Sequence, residues 1–116
     1  MPSTTAPNLG MKYAWAIGDN FKPEMDANLL LIDRVLQLSV KDRDLTAPPG
    51  GLTAGDRYIV AASPTGAWVG QAQNIAVWTG STWAFITPKL GWISYIEDEQ
   101  KISVFRSGAW SAGIAI

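Results

Sequence analysis

Residues 75–86 read IAVWTGSTWAFI, and this stretch decides which kind of sheet the chain can form. Two runs rich in β-branched and aromatic residues flank a turn signal, TGS, at residues 79–81. This pattern predicts two antiparallel strands joined by a tight turn. Because Trp78 ends the first run and Trp83 begins the second, their rings should pair across the strands and stabilise the hairpin by roughly 0.2–1 kcal/mol.

The same arrangement recurs towards the C-terminus. Residues 102–105 read ISVF, again ending in an aromatic residue, and a turn containing Ser107-Gly108 leads to Trp110. Two copies are too few for a repeat protein, but they give these aromatic residues a structural role in hairpins. Similar runs broken by turn signals follow one another from residue 56 onward, which predicts an antiparallel meander. The predicted strands are 57–61, 67–69, 75–78, 83–86, 92–96, 102–105 and 109–114.

Residues 22–40 carry the pattern of an amphipathic helix. Asp19 or Asn20 can cap its first turn, and Pro23 suits that turn because its missing N–H would be unpaired there anyway. Around the helix, the apolar positions cover roughly 200°, about twice the stripe that one buried face explains. They form one stripe of Met25, Leu29, Ile32 and Leu36 and an adjacent stripe of Leu31, Val35 and Leu38.

A helix with two apolar faces needs two partners. One face can pack on the chain's own sheet and the other on the same helix of a second copy, which predicts a homo-oligomer. The alternative is that the N-terminal arm covers the second face. The predicted interface centres on Leu31, Val35 and Leu38 and extends to Met25 and Ile32.

The order of these elements predicts an α+β fold, in which one N-terminal helix is followed by an antiparallel β-meander of five to seven short strands. A chain of 116 residues has room for one core. Residues 1–20 are polar and marked by Gly and Pro, and we interpret them as an extended N-terminal arm. Residues 21–116 then form a single helix-plus-antiparallel-sheet domain.

Composition excludes several classes of function. The chain has no Cys and no His, which excludes disulfides, thiol chemistry, most zinc sites and Ser-His or Cys-His catalysis. The chain has nine basic and ten acidic residues, so its net charge is close to zero and no electrostatic attraction to nucleic acid is expected. The longest apolar run, residues 29–32, is too short to insert into a membrane, and the N-terminus lacks the pattern of a signal peptide, so folding in a cytoplasm is expected. Charged residues are only 16% of the chain, which suggests that another chain covers part of the surface.

Three charged clusters are candidates for chemistry. Glu97-Asp98-Glu99 falls at a predicted hairpin tip, where a solvated turn is expected and a glycosidase-like or calcium-binding role is the alternative. Residues 41–44 read KDRD, and we expect them to pair with one another at the exit from the helix. Asp56-Arg57 should form a turn hydrogen bond and a surface pair. We therefore expect no catalytic, cofactor-binding or metal-binding residues.

Six Trp residues are a high number for 116 positions. Trp fills β-rich cores and covers interfaces, and it also stacks on sugars. The positions of these residues along the predicted strands favour packing. If sugar is bound, Trp68 and Trp92 are the best candidates because both lie next to predicted turns.

Two blocks of sequence resemble a known family. They are VKDRDLTAPP at residues 40–49 and GDRYIV at residues 55–60, and the likeness continues through the aromatic hairpins to cover about residues 10–112. The chain resembles a phage domain family of unknown biochemical function, found in tail-fibre, tail-spike and head-spike proteins of tailed phages, prophages and gene transfer agents. Residues 18–25 depart from the family, whose members often carry a Gln-Ala-Gln-Lys stretch and an Asn-Glu pair there.

The resemblance implies a virion structural part without catalytic residues, assembled in the host cytoplasm as a homotrimer and in contact with other virion proteins. The first hypothesis is therefore a structural or adaptor component. The second is a module for host attachment, which binds host surface polysaccharide through exposed Trp, and the third is a glycan-degrading enzyme that uses Glu97, Asp98 or Glu99. Trp buried between subunits would favour the first hypothesis, and a flat row of exposed Trp would favour the second.

Overall fold

Helix α1 spans Phe21–Val35 in the computed structural model of the chain, which describes residues 3–115. The helix ends there because Leu36 is extended, with φ −68° and ψ 127°, and Gln37 has a positive φ of 49°. The predicted start at residue 22 is off by one position, whereas the predicted end at residue 40 is wrong. The apolar periodicity continues past Val35 although the backbone has already left the helix.

The chain divides after the helix into two units, Met1–Leu36 and Gln37–Ile116. The helix thus groups with the arm that precedes it, whereas the sequence analysis places it with the sheets. Residues 1 and 2 of the predicted arm and residue 116 of the predicted domain lie outside the described residues.

In the first unit, the arm forms a small hairpin that is bonded to the helix. Strands β1 (Thr4–Thr5) and β2 (Lys12–Tyr13) are antiparallel, and β2 contacts α1. The side-chain amide of Asn28, buried on the helix, accepts a hydrogen bond from the backbone N–H of Lys12 and donates one to its carbonyl, both at 2.8 Å. Glu24, one turn earlier, accepts a 2.8 Å hydrogen bond from the indole N–H of Trp15. Polar contacts therefore fix the arm to one side of the helix.

The second unit contains two sheets among its described residues. The first has the strand order β4-β5-β6 and is antiparallel throughout. The second has the order β3-β7-β8-β9, in which β3 runs parallel to β7 and the other neighbours are antiparallel. The strands are β3 (Ser39–Val40), β4 (Arg57–Ile59), β5 (Ile75–Trp78), β6 (Trp83–Ile86), β7 (Ile93–Ile96), β8 (Lys101–Val104) and β9 (Ile114–Ala115). The α+β class is confirmed, and the strand order is consistent with a meander.

Both aromatic hairpins are confirmed. Trp78 pairs with Trp83 across β5 and β6, with ring centroids 5.2 Å apart and an edge-to-face arrangement. Phe105 and Trp110 form an isolated antiparallel bridge, with centroids 5.3 Å apart. The local sequence determines these contacts because each pair needs only a short turn to meet.

Two predicted strands are wrong. Residues 67–69 lie in and just after a short 3₁₀ helix, Gly66–Trp68. Residues 109–114 form no continuous strand, since only the bridge at Trp110 and the start of β9 pair. The residues between them, 111–113, run as an irregular segment.

The core of the second unit lies on both faces of the antiparallel sheet of β4, β5 and β6. Successive residues of a strand point to opposite faces, so β4 and β5 contribute to two clusters at once. One cluster contains Leu38, Val40, Ile59, Ile75, Val77 and Ile96, and the other contains Tyr58, Val60, Trp68 and Ala76. The segment just after the helix is therefore part of this core rather than of a helical face.

Candidate functional site

Arg43 organises the most connected polar site of the second unit. Its Nε donates a 2.9 Å hydrogen bond to Oε2 of Glu99, and Nη2 donates to Oε1 of Glu99 at 2.8 Å and to the carbonyl of Ala112 at 2.6 Å. Its Nη1 donates to the carbonyl of Ser111 at 2.6 Å and to Oγ of Ser103 at 3.4 Å. These contacts engage all five N–H donors that a guanidinium has.

A second layer of hydrogen bonds supports this arrangement. Ser103 is fully buried, and its hydroxyl donates a 2.7 Å hydrogen bond to the carbonyl of Ser111. The hydroxyl oxygen of Ser111 accepts a 3.1 Å hydrogen bond from the N–H of Val104. We call Arg43, Glu99, Ser103 and Ser111, with the carbonyl of Ala112, the Arg43 latch. The latch joins the 41–44 segment, the turn after β7 and the irregular 111–113 segment.

Within the latch, Arg43 and Glu99 form an ion pair in which each group stabilises the charged form of the other. The side chains of Arg43 and Glu99 are only 15% and 20% exposed, so water screens the pair weakly. The hydrogen bonds from Arg43 hold the pKa of Glu99 below its ordinary value, and those to Glu99 raise the pKa of Arg43. Both groups are therefore charged at neutral pH, and both are already occupied by each other.

The charges of residues 41–44 do not pair among themselves as predicted. Arg43 binds Glu99, and the ammonium of Lys41 lies 3.7 Å from a carboxylate oxygen of Asp56. The sequence misses both partners because they lie far along the chain. The turn hydrogen bond expected at Asp56 is confirmed, since its carboxylate accepts a 2.9 Å bond from the N–H of Thr53.

The acidic turn is not a uniformly solvated tip. Glu97 accepts a 2.8 Å hydrogen bond from the hydroxyl of Ser39, and Glu99 belongs to the latch. Asp98 is exposed and lies near two other carboxylates, Asp42 and Asp44, with oxygens within 4.8 Å of one another. Partial loss of hydration raises the pKa of Asp98, and the negative charges of Asp42 and Glu99 raise it further.

The three neighbouring carboxylates could contact a hard cation. Carboxylate oxygens are the ligands that Ca²⁺ and Mg²⁺ prefer, but Ca²⁺ takes roughly 6–8 oxygens and this group offers one from each of three residues. Asp44 and Asp98 are also exposed. The group by itself does not define a metal centre.

A cleft of about 590 Å³ lies over the latch. Its lining combines charged, amide, hydroxyl and aromatic groups, and the residues that matter for its chemistry are Arg43, Asp44, Gln73, Glu99, Lys101 and Trp110. The volume falls within the roughly 300–1,000 Å³ that ligand pockets usually have. The sequence analysis assigns Trp110 only a hairpin role, because its local motif accounts for the ring, and it does not identify Gln73, which stands in no motif.

Gln73 fixes Trp110 at the edge of this cleft. Its backbone carbonyl accepts a 2.9 Å hydrogen bond from the indole N–H of Trp110, and its side-chain oxygen accepts a 3.4 Å bond from the backbone N–H. Gln73 itself has a φ of 68°, a left-handed conformation that non-glycine residues rarely adopt. The ring also packs edge-to-face against Phe105. Trp110 is therefore held in one orientation.

The two residues predicted to stack on sugar, Trp68 and Trp92, differ in how far they are buried. Trp68 is fully buried in the core with Tyr58 and Trp83, so it offers no surface to a sugar, and that assignment is wrong. Trp92 is half-buried and packs against the core cluster of Val40. Neither residue lines the cleft over the latch.

The predicted helix interface is only partly on the helix. Leu38 lies beyond α1 and is 6% exposed in the core of the second unit, so its assignment to a helical face is wrong. Leu31 and Val35 are half-buried and continue the side of the helix to which the arm is bonded through Asn28. Met25 and Ile32, also half-buried, belong to the other stripe.

The most exposed apolar residues of the helix lie on that other stripe. Leu29 is 57% exposed and Leu36, at the helix end, is 66% exposed. Their spacing from Met25 and Ile32 places all four on one side of the helix. The arm's hydrogen bonds to Glu24 and Asn28 centre on the neighbouring side.

The fold and the latch define a small α+β module whose polar site ties three chain segments together. The family model of a protein of unknown function (DUF2793) matches residues 25–111, and the chain belongs to this family. No curated protein and no solved structure matches the chain. None of the helices in the described part of the chain is both long and apolar enough to span a bilayer.

Replacing Arg43 with Met should destabilise the second unit by roughly 2–4 kcal/mol, because it leaves the Glu99 charge unpaired and the Ala112 carbonyl without a donor, while the Ser111 carbonyl keeps only its bond from Ser103. Urea unfolding followed by tryptophan fluorescence measures this change. Arg106→Met is the matched control, since Arg106 is exposed in a hairpin turn, and it should change stability by no more than about 0.5 kcal/mol. Equal losses in the two variants would contradict a stabilising role for the latch.

The latch should also make stability depend on acid pH. The pKa of Glu99 is lowered in the folded state, so its contribution is complete above the ordinary value of 4.5 and is lost as pH falls through the lower folded pKa. The raised pKa of Asp98 acts in the opposite direction, because its protonation favours the folded state. The stability difference between the wild type and Glu99→Gln should therefore shrink as pH falls below 4.5, as measured by urea unfolding at each pH. A difference that stays constant would contradict this assignment.

Proposed function

We propose that the chain is a non-catalytic structural or adaptor module of a phage-type virion and that it self-associates through α1. The observation that carries the proposal is the apolar stripe of Met25, Leu29, Ile32 and Leu36, of which Leu29 and Leu36 are exposed. Leu29 and Leu36 are more than half exposed, although each side chain is worth roughly 1.5–3 kcal/mol when it is fully buried. An apolar stripe on one side of a helix fits an identical stripe on a second copy.

The charges beside the stripe favour a copy of the same chain as the partner. Asp26 and Asp33 lie on the solvent-exposed side of the helix, and the ammonium of Lys22 forms an ion pair with Asp26 at 2.6 Å. The stripe itself carries no charge that would specify an oppositely charged partner. Burial between copies removes the stripe from water without leaving a charge unpaired.

The virion assignment rests on the resemblance of the DRDLTAPP and GDRYIV blocks to phage spike and fibre proteins. The structure supports it by giving both blocks an architectural role. Backbone hydrogen bonds join the segment 41–46 to the strand region 57–61. They include a bond from the N–H of Lys41 to the Arg57 carbonyl at 2.8 Å and one from the N–H of Ile59 to the Asp42 carbonyl at 3.1 Å. The arginine of the first block forms the latch.

The chemistry that the chain offers supports the proposal of a non-catalytic role. The chain has no His or Cys, and Glu99 is committed to Arg43. Glu97 is bonded to Ser39, which leaves Asp98 as the freest carboxylate of the acidic turn. We propose that the module contacts other virion proteins, assembles in the host cytoplasm as a homotrimer and does not insert into membranes or bind nucleic acid.

Leu29→Asp and Leu36→Asp should each dissociate the oligomer, because a charge in an apolar contact has no partner there. Multi-angle light scattering should return the mass of an oligomer for the wild type and about 12.5 kDa for both variants. Ala27→Asp places the same charge on an exposed part of the helix outside the stripe and should leave the oligomer intact. A wild type that is monomeric at high concentration would refute self-association.

The virion assignment has its own test. Particles purified from a lysogen or lysate that expresses the chain should contain it in a fixed ratio to the major particle proteins, as measured by quantitative mass spectrometry. Particles made with the Leu29→Asp variant should lack it, while Ala27→Asp should be retained. A chain found only in the particle-free fraction would overturn the proposal even if the oligomer forms.

A further inference from the structure

The cleft over the Arg43 latch offers polar groups that the fold does not use. Asp44 and Lys101 line it, and neither side chain makes a hydrogen bond or ion pair with another residue in the range 3–115. The side-chain nitrogen of Gln73 also makes no hydrogen bond within that range, although its oxygen bonds Trp110. The cleft therefore presents one carboxylate acceptor and two kinds of N–H donor.

Trp110 contributes an aromatic surface to the same cleft. Trp110 is half-buried against the core cluster and lines the cleft, and its indole N–H is already bonded to the carbonyl of Gln73, so the part of the ring in the cleft can offer only apolar surface. The two bonds to Gln73 and the contact with Phe105 hold the ring in place before any ligand arrives. A ring that is already fixed loses little conformational freedom on binding.

The charges of the cleft favour a neutral ligand. Arg43 and Lys101 supply two positive charges, and Asp44 and Glu99 supply two negative ones. Arg43 and Glu99 neutralise each other in the latch, which leaves one cation and one carboxylate. A phosphate or polyanion would meet Asp44 and the nearby Asp42 and Asp98, and an apolar ligand would strip water from polar groups without replacing their hydrogen bonds.

We infer that this cleft binds a neutral saccharide, with a sugar ring against Trp110 and its hydroxyls bonded to Asp44, Gln73 and Lys101. A hydroxyl both donates and accepts, so neighbouring hydroxyls can satisfy a carboxylate, an amide nitrogen and an ammonium at once. The cleft is open and its lining is mostly polar, which suits a ligand that is held largely by hydrogen bonds. The inference does not depend on self-association, because every residue of the site belongs to Gln37–Ile116.

The test uses the full chain labelled with 5-fluorotryptophan, which gives one fluorine resonance for each of its six Trp residues. Trp110→Phe assigns the resonance of Trp110. Maltotriose, cellotriose, mannotriose and chitotriose are titrated separately to about 10 mM, a range that detects millimolar binding. At least one of them should shift the Trp110 resonance along a saturating curve.

Two variants and one control locate the site. Asp44→Asn and Lys101→Met should each weaken the binding by roughly tenfold or more, because each removes a charge-assisted hydrogen bond. Lys22→Met removes the same charge from the helix and should leave the affinity unchanged. The other five Trp resonances should keep their positions in every variant, which shows that the fold is intact. If Trp110→Phe does not fold, substituting the remaining Trp residues one at a time assigns the resonance by elimination.

Several results would overturn the inference. The absence of a saturating Trp110 shift with any of the four saccharides would do so, as would a shift confined to Trp92 or Trp78. A shift that survives both Asp44→Asn and Lys101→Met would place the ligand elsewhere. Short acidic or basic peptides that shift the Trp110 resonance when no saccharide does would assign the cleft to a peptide partner instead.

Discussion

The five hydrogen bonds of Arg43 are the constraint on which the second unit depends. Irregular backbone leaves carbonyls that no strand partner satisfies, and the 111–113 segment has two of them pointing at one guanidinium. A lysine could not replace it, because an ammonium has three donors and no planar fork to match a carboxylate. Glu99 supplies the charge that keeps this arginine at a mostly buried position.

The Arg43 latch and the two hydrogen bonds between Gln73 and Trp110 hold neighbouring residues of one segment. Gln73 holds Trp110 through two hydrogen bonds, and Arg43 holds Ser111 and Ala112 through their carbonyls. Trp110 also packs against the core cluster that contains Ile59 and Ile75. These contacts fix residues 110–112, although they lack regular secondary structure, and the same residues line the cleft.

The fold could be predicted from the sequence where the deciding contacts are local. The hairpin of residues 75–86 and the Phe105–Trp110 bridge need only a short turn, so period-two patterning and turn residues determine them. The end of the helix could not be predicted, because Leu36 and Leu38 continue the helical period while Gln37 takes a left-handed conformation. The charged clusters of Arg43 and Glu99 are both visible in the sequence, but their pairing could not be predicted, because the two residues are 56 positions apart and neither stands in a motif that names the other.

The distance in sequence between Arg43 and its acceptors also bears on the order in which contacts are expected to form during folding. The turn between β5 and β6 closes a loop of four residues, and hairpins of this kind form in roughly 1–10 μs. The bonds of Arg43 join residues 56 to 69 positions apart, and the entropy of closing a loop rises with its length. The turn at Glu99 and the bridge at Trp110 place these acceptors side by side, so we expect both local elements to form before Arg43 engages. We therefore expect the guanidinium to engage after the two hairpins, with the 111–113 segment open to water until it does.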